Sequence, residues 1–305
     1  MPSAETPATP RRTLAGIACL VIATLAWAGN FLVGGFASAE MGAFDLVWAR
    51  WAIALVPLVL VAQLFERPHW GEVLRHWPRH LAVGLMGVGA YNLLLYLSLE
   101  HGSALNSALI NAFNPALIAV AAVVILGSRM SVRAVVGIVI AFLGVVLVLS
   151  GGDPLAILRE PLQLGSVFML GAIVVWTGYT IGGRLGAPLP PIASVTVQAA
   201  IALMVLAPFA WWDGLTVPAQ GAGWAALIYI GLGPSLIAYV FWNLALERLP
   251  AQQAGASLNL ITVFTVAGSL LLGASANVAE IVGGVMVLAG VLLTVEFARP
   301  VRAPR

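Results

Sequence analysis

Long apolar stretches constrain the fold of this 305-residue chain more than any other feature. Ten of them have about 20 predominantly apolar residues, the length that a helix needs to cross the hydrocarbon core of a bilayer. Backbone amides in lipid must be hydrogen-bonded within their own segment, so each stretch is expected to be a helix. The sequence therefore predicts an all-α integral membrane protein with ten transmembrane helices. These are Thr13–Gly34, Phe44–Leu64, Leu81–Leu99, Ala104–Leu126, Val132–Ser150, Leu164–Gly183, Ile192–Trp211, Ala222–Leu246, Ala251–Leu272 and Val278–Phe297.

The composition agrees with this prediction and excludes other classes of protein. Hydrophobic residues make up 61% of the chain and charged residues 9%, whereas a soluble domain has about 25% charged residues. The net charge of +2 is spread in ones and twos between apolar stretches, so no nucleic-acid-binding surface is expected. The single cysteine, Cys19, excludes a disulfide framework, and the absence of lysine excludes a nucleotide-binding P-loop.

The arginines predict the orientation, because positively charged loops stay on the cytoplasmic side. With the N-terminus inside, twelve of the 14 arginines are cytoplasmic, Arg159 faces outward and Arg50 lies within a span. Both terminal tails, residues 1–12 and 298–305, are therefore expected in the cytoplasm, and the protein in the cell inner (plasma) membrane. Arg11-Arg12 resembles a twin-arginine signal, but the apolar run after it exceeds the roughly 7 to 15 residues of a signal peptide, so the first helix is expected to remain.

The longest polar segment between predicted helices, Glu66–His80, contains three of the four histidines together with Trp70 and Trp77. Tryptophan beside basic residues is typical of a loop that lies on an anionic lipid surface. The histidines share no established metal-ligand spacing, so a metal site is the less favoured interpretation. With the histidines in a loop or at a helix end, and the acidic residues near helix ends, no titratable proton site is expected inside the membrane.

The chain contains an internal repeat. A shift of 149 residues places Trp27 on Trp176, and shifts of 144 to 149 align a series of glycines. The glycine pairs are Gly16 with Gly165, Gly29 with Gly178, Gly34 with Gly183, Gly87 with Gly231, Gly89 with Gly233, Gly127 with Gly273 and Gly137 with Gly283. We predict two five-helix repeats, residues 13–150 and 164–297, joined by a linker at 151–163. An odd number of helices inverts the second repeat, which is typical of transporters with a mid-membrane substrate site.

Several segments resemble the EamA family of the drug/metabolite transporter superfamily. They are LAWAGNFLVGG in the first helix, LVWARWAIAL in the second, and the block from LMGVGAYNLLLYLSLEHGSALNSALINAFNPALIAV to GSRMSVRAVVGIVIAFLGVVLVL. The resemblance implies ten helices in two EamA repeats, cytoplasmic termini, and export of metabolites such as amino acids or their relatives. The second repeat departs from the first, since Leu260-Ile261 aligns with Asn114-Pro115.

Arg50 is the strongest single candidate for a substrate-binding residue. A buried arginine costs about 2.5 to 3.5 kcal/mol on insertion scales, so it is expected to face a cavity or a partner. Its guanidinium group matches a substrate carboxylate in a bidentate clamp. Alternatively, it is a structural tie to Asp45, Glu40 or helix-end carbonyls, or it reaches the outer headgroups. Gln198 occupies the equivalent position in the second repeat.

Asparagines within the spans form a second group of candidates. Asn111 and Asn114 lie on one face of the fourth predicted helix. They either recognise a zwitterion or an amide, or hold helices together by hydrogen bonds. Asn259 is their nearest polar counterpart in the second repeat, and Asn30 follows one of the aligned glycines.

Aromatic residues at mid-helix either form a pocket wall or pack in the ordinary way. Trp51, Trp211 and Trp212 lie near predicted helix ends and are expected to be interface anchors instead. The complete set of candidate substrate-binding residues is Trp27, Asn30, Arg50, Tyr91, Tyr96, Asn111, Asn114, Trp176, Tyr179, Gln198, Tyr239 and Asn259.

These features predict a secondary transporter that exports small metabolites by alternating access, with amino acids or related carboxylate or zwitterionic compounds as substrates. No cofactor, metal or nucleic-acid partner is expected; the partners are the substrate and the lipid bilayer, and a monomer is compatible with the sequence. Facilitated diffusion or exchange is expected rather than proton coupling. A multidrug or cation extruder of the same fold is the alternative, disfavoured by the lack of a buried carboxylate. A receptor or an intramembrane enzyme is a different class, and no nucleophile, base or metal set supports the enzyme.

Overall fold

The computed structural model describes residues 10–127, 130–153, 155, 162–183, 185–212, 214–246, 248–249 and 257–294. Within these ranges the chain is helical and has no β-strand. Eight of its helices are long and apolar enough to cross a membrane. The described parts of two further apolar helices are shorter. We label them α1 Pro10–Met41, α2 Ala43–Glu66, α3 Trp77–Glu100, α4 Ala104–Leu126, α5 Val132–Leu149, α6 Leu164–Gly182, α7 Pro191–Trp212, α8 Gly221–Ala245, α9 Asn259–Leu271 and α10 Val278–Thr294.

Each helix of one half packs on helices of the other half, and equivalent helices have equivalent packing partners. α1 packs against α8 and α9, and α6 packs against α3 and α4; α2 packs against α7, and α5 against α10. Glu66, at the end of α2, accepts hydrogen bonds from the backbone N–H groups of Ile192 and Ala193 at the start of α7, at 2.7 and 2.8 Å. Asp45, near the start of α2, accepts one at 2.9 Å from Thr216, which follows α7. α2 and α7 are therefore antiparallel, as inverted repeats require.

Small residues bring α5 and α10 into close contact. A Cβ atom placed on Gly144 would lie 2.6 Å from the carbonyl oxygen of Gly283, and one on Gly283 would lie 2.6 Å from that of Gly144. Such small-residue contacts let helix backbones approach in a bilayer, where no hydrophobic effect drives helices together. This pair joins the two repeats at a distance from the cavity described below.

Two helices are interrupted by π-helical segments at matching places in the two repeats. The segment in α3 is Leu85–Ala90, and the segment in α8 is Gly233–Ile237. A π-helical turn releases backbone carbonyls from the regular α-helical ladder, and side chains can take them up. Pro234 of the segment in α8 lines the candidate site, and the segment in α3 directly precedes Tyr91, which also lines it.

α4 is broken into Ala104–Asn111 and Asn114–Leu126, with Pro115 in the first turn of the second part. α9 begins at Asn259 and has the same length, 13 residues, as Asn114–Leu126. If the two helices are aligned at their first residues, Asn114 corresponds to Asn259. The sequence alignment, which placed Asn114-Pro115 on Leu260-Ile261, was therefore shifted by one residue. The sequence alignment used glycines that follow the helices, and one extra residue, Leu272, precedes the glycine after α9.

The polar segment between α2 and α3 contains a short helix, Trp70–Arg75. Arg75 and Trp77 are exposed there, which fits the expected position at a lipid surface. The structure places His80 at a helix end, one of the two positions expected for the histidines.

Candidate functional site

A cavity of about 90 Å³ lies between the two repeats. This volume holds several water molecules, since one needs about 10 to 15 Å³. α1 to α4 contribute to its wall from the first repeat, and α6, α8 and α9 from the second. Nine of the candidate residues named from the sequence line it, namely Trp27, Asn30, Arg50, Tyr91, Asn111, Asn114, Trp176, Tyr239 and Asn259.

Arg50 is 3% exposed, and its guanidinium group donates hydrogen bonds to neutral oxygens. Nε and Nη2 donate to Ser235 Oγ at 3.0 and 2.7 Å, and Nη1 donates to Asn92 Oδ1 at 2.7 Å. Nη1 also donates to the hydroxyl of Tyr96, which in turn donates to Asn30 Oδ1 at 2.9 Å. These four bonds use four of the five N–H donors of the guanidinium group.

The π-helical segments hold the partners of Arg50 in place. Asn92 Nδ2 donates at 3.0 Å to the carbonyls of both Gly87 and Val88 in α3. Ser235 Oγ donates at 2.9 Å to the carbonyl of Ile230 in α8. Each partner thus satisfies backbone carbonyls next to a π-helical segment and turns an oxygen toward Arg50, so the arginine position depends on both repeats.

No carboxylate lies within ion-pairing distance of Arg50 among the residues that the structure describes. The predicted alternative of a tie to Asp45 is wrong, because that carboxylate binds the backbone of Thr216. The rings of Trp51 and Tyr96 lie 5.2 and 5.6 Å from Arg50 Cζ, which gives the cation a π-electron environment. The positive charge is therefore solvated by dipoles and rings, and it is not neutralised by an anion.

Trp51 is a cavity residue that the sequence analysis placed wrongly. It was expected to be an interface anchor, but it is 2% exposed, lines the cavity and donates to the carbonyl of Val88 at 3.1 Å. α2 begins at Ala43, so Trp51 lies about 12 Å along the helix axis at 1.5 Å per residue, well inside the span. Trp211 and Trp212 are exposed, as an anchor position requires.

Two tryptophan–tyrosine pairs line the cavity. Trp27 of α1 packs on Tyr239 of α8 with a centroid distance of 5.8 Å, and Trp176 of α6 packs on Tyr91 of α3 at 4.6 Å. Trp27 and Trp176 are partners in the internal repeat, and each tyrosine follows a π-helical segment by one or two residues. The two aromatic pairs therefore occupy equivalent positions in the two repeats.

The asparagines from α4 and α9 differ in their hydrogen bonding. Asn114 Oδ1 accepts a long bond of 3.4 Å from the hydroxyl of Thr177. Asn111 Oδ1 and both polar side-chain atoms of Asn259 are buried without a hydrogen-bond partner in the described part of the chain. Buried polar groups are normally paired, so this part of the wall has unused capacity to bind a ligand.

Three candidate residues do not line the cavity. Tyr96 is fully buried behind Arg50, and Tyr179 packs on Trp176 at 4.9 Å. Gln198 contacts Gly84, and its Oε1 has no hydrogen-bond partner among the described residues. The structure instead adds Asn92 and Ser235 to the arginine site. A polar residue within an apolar stretch was the available signal for both of them.

Comparisons with known proteins agree with this architecture. A protein named "Uncharacterized transporter YyaM" from Bacillus subtilis is 26% identical over 267 residues and 86% of each chain. A protein named "Probable terminal-alkyne amino-acid exporter" from Streptantibioticus cattleyicolor is 28% identical over 290 residues, covering 90% of this chain and 91% of the relative. A solved crystal structure with 19% identity and a TM-score of 0.64 covers 94% of this chain and 99% of its own, which shows a shared fold.

The family model of the EamA-like transporters matches the chain twice, over residues 14–150 and 163–296. The two matches correspond to the two halves that exchange helix contacts around the cavity. Together with eight helices suited to cross a membrane, they identify a multi-pass membrane transporter. Because the family model accounts for nearly all of its length, the chain belongs to the EamA-like transporter family.

Proposed function

We propose that this protein is a secondary transporter that exports small metabolites bearing a carboxylate, foremost amino acids, by alternating access across the inner membrane. The observation that carries the proposal is Arg50, a buried cation at the central cavity with no carboxylate partner among the described residues. A buried charge is costly unless it is paired, and a substrate carboxylate supplies the missing negative charge.

The same electrostatics disfavour a cation extruder. A cationic substrate would add a second positive charge to the cavity, and no Asp or Glu belongs to its described lining. Two like charges in a low-dielectric site repel strongly. The exporter from Streptantibioticus cattleyicolor, whose name specifies an amino acid, is a relative of matching length and adds support for a zwitterionic substrate.

We further propose ten membrane spans with both termini in the cytoplasm. α9 and α10 are described with 13 and 17 residues. α9 packs on α1, just as its counterpart α4 packs on α6. α10 packs on α5, which is its own counterpart in the first repeat. α9 and α10 therefore take places in the bundle that are equivalent to those of α4 and α5. Facilitated diffusion or exchange fits a cavity whose described lining contains an arginine but no Asp, Glu or His.

Counterflow in proteoliposomes tests the proposal. Vesicles preloaded with unlabelled amino acids are given labelled tracers outside, and wild type is compared with Arg50→Gln and Arg50→Lys. Arg75→Gln, which changes an exposed arginine, is the matched control. We expect tracer accumulation by wild type and Arg75→Gln, and at least a roughly tenfold loss in Arg50→Gln, about 1.4 kcal/mol.

Size-exclusion profiles and unfolding temperatures in detergent establish that each variant is folded. Unchanged flux in a folded Arg50→Gln variant would remove the carboxylate-binding role of Arg50. Accumulation of cationic compounds without that of any carboxylate would favour the cation extruder instead.

A further inference from the structure

The cavity has a second polar region away from Arg50. Arg50 belongs to α2 and bonds to α3 and α8. Asn111 and Asn259 belong to α4 and α9, which pack on each other and on α1, while α2 packs on α1, α3, α7 and α8. The cavity wall therefore presents a cation from one group of helices and amides from another.

The two amides have hydrogen-bonding capacity that the protein does not use. Asn259 is 8% exposed, and neither its Oδ1 nor its Nδ2 has a partner in the described structure. Asn111 Oδ1 is likewise buried and unpaired. Other polar residues of this region are paired, since Thr262 donates to the carbonyl of Ala108 at 3.1 Å. Among the described residues that line the cavity, Asn111 and Asn259 are the ones with buried side-chain atoms that lack a hydrogen-bond partner.

We propose that Asn259 and Asn111 bind the ammonium group of a zwitterionic substrate whose carboxylate faces Arg50. This inference rests on the proposed function and adds the residues that recognise the amino group. An ammonium group has three N–H donors and no acceptor, which matches two unpaired carbonyl oxygens. A carboxylic acid without the amino group leaves both oxygens unpaired, so the site rejects it.

The aromatic pairs complement such a substrate. Trp176 and Tyr91 lie in the same wall as Asn111, and the faces of their rings attract a cation. The remaining surface of the rings is apolar and accommodates a hydrocarbon side chain. The substrate class is therefore an α-amino acid with an apolar or aromatic side chain, held at its carboxylate by Arg50 and at its ammonium group by amide oxygens.

Matched pairs of compounds test this assignment. Each labelled amino acid, including leucine, phenylalanine and methionine, is compared in counterflow with the same acid lacking the amino group and with its N-acetyl derivative. We expect wild type to carry at least one amino acid and to discriminate at least tenfold against both of its analogues. In Asn259→Leu we expect this discrimination to fall to less than threefold through loss of amino-acid flux.

Asn259→Leu is suited to the test because the Asn259 side chain has no hydrogen-bond partner among the described residues and leucine nearly conserves its volume. Asn111→Leu is the second variant, and Asn106→Leu is the matched control, since Asn106 bonds Ser166 outside the cavity. Equal carriage of amino-free acids by wild type would overturn the inference and leave the proposed function intact. An Asn259→Leu variant with undiminished discrimination would also overturn it. If wild type carries neither member of any pair, both proposals fail.

Discussion

Arg50 Nη2 and Ser235 Oγ lie 2.7 Å apart, and this bond joins α2 of the first repeat to the π-helical segment of α8 in the second. Arg50 Nε donates to the same oxygen at 3.0 Å. A bidentate substrate carboxylate needs two N–H donors, whereas one of the five has no bond to the described part of the protein. In the proposed binding mode Arg50 must therefore release a protein oxygen, and release of Ser235 would couple substrate binding to the contact between the repeats.

Replacing Ser235 by alanine tests how strongly this contact stabilises the fold. Ser235→Ala removes two bonds to a buried cation, and we expect a loss of about 2 to 4 kcal/mol in the free energy of unfolding. Ser269→Ala is the matched control, because Ser269 is also buried but its hydroxyl has no partner among the described residues. Unfolding curves in detergent measure both variants. Equal effects of the two would show that the Arg50–Ser235 bonds do not contribute.

Tyr96 is predicted to position Arg50 without touching substrate. Its hydroxyl connects Arg50 to Asn30 and lies behind the cavity wall. Tyr96→Phe is expected to lower stability by about 1 to 3 kcal/mol and to raise the substrate concentration for half-maximal counterflow several-fold.

Arg50→Lys should behave like Arg50→Gln, since an ammonium group does not reproduce the fork that Ser235 and Asn92 bind.

Tyr91→Phe provides the comparison for Tyr96→Phe. Tyr91 lines the cavity and stacks on Trp176, and its ring remains in the variant. We expect Tyr91→Phe to keep wild-type unfolding temperature. A Tyr96→Phe variant with wild-type stability and half-saturation would argue that Arg50 is held sufficiently by its other partners.

The close approach of α5 and α10 predicts sensitivity to a single added methyl group. A Cβ atom at Gly144 meets the Gly283 carbonyl oxygen at 2.6 Å and Met286 Cβ at 2.9 Å, so the helices must separate. Overpacking of this kind costs about 1 to 3 kcal/mol. Gly144→Ala is expected to lower the unfolding temperature, whereas Gly89→Ala, with open space around its Cβ position, is not. Similar unfolding temperatures would contradict the contact.

The apolar periodicity and the repeat predicted the helices and most of the aromatic wall, because these depend on local sequence. The partners of Arg50 were beyond that reasoning, since Asn92 and Ser235 lie 42 and 185 residues away and meet it only in the folded bundle. The nearby carboxylate of Asp45 was a misleading signal. Five residues along a helix correspond to a rotation of about 140°, which directs Asp45 away from Arg50.

His80 provides the sharpest test of the expected energy coupling. It is 2% exposed inside α3, and neither ring nitrogen has a hydrogen-bond partner in the described structure. The charged or titratable groups that act on it are Arg79 and His76. Arg79 donates to the carbonyls of Gly183 and Ala187. A buried histidine without a hydrogen-bond partner in the first turn of a span is a candidate proton site.

We expect His80→Leu to keep wild-type counterflow, because a buried side chain without hydrogen bonds is replaced by an apolar one of similar size. We also expect that an imposed pH gradient across the vesicle membrane drives no uphill accumulation by wild type. Uphill flux in wild type that disappears in His80→Leu, with counterflow preserved, would make His80 the proton-coupling residue and replace exchange by proton-coupled export. His76→Leu, at the neighbouring partly exposed histidine, separates this effect from a change in surface charge.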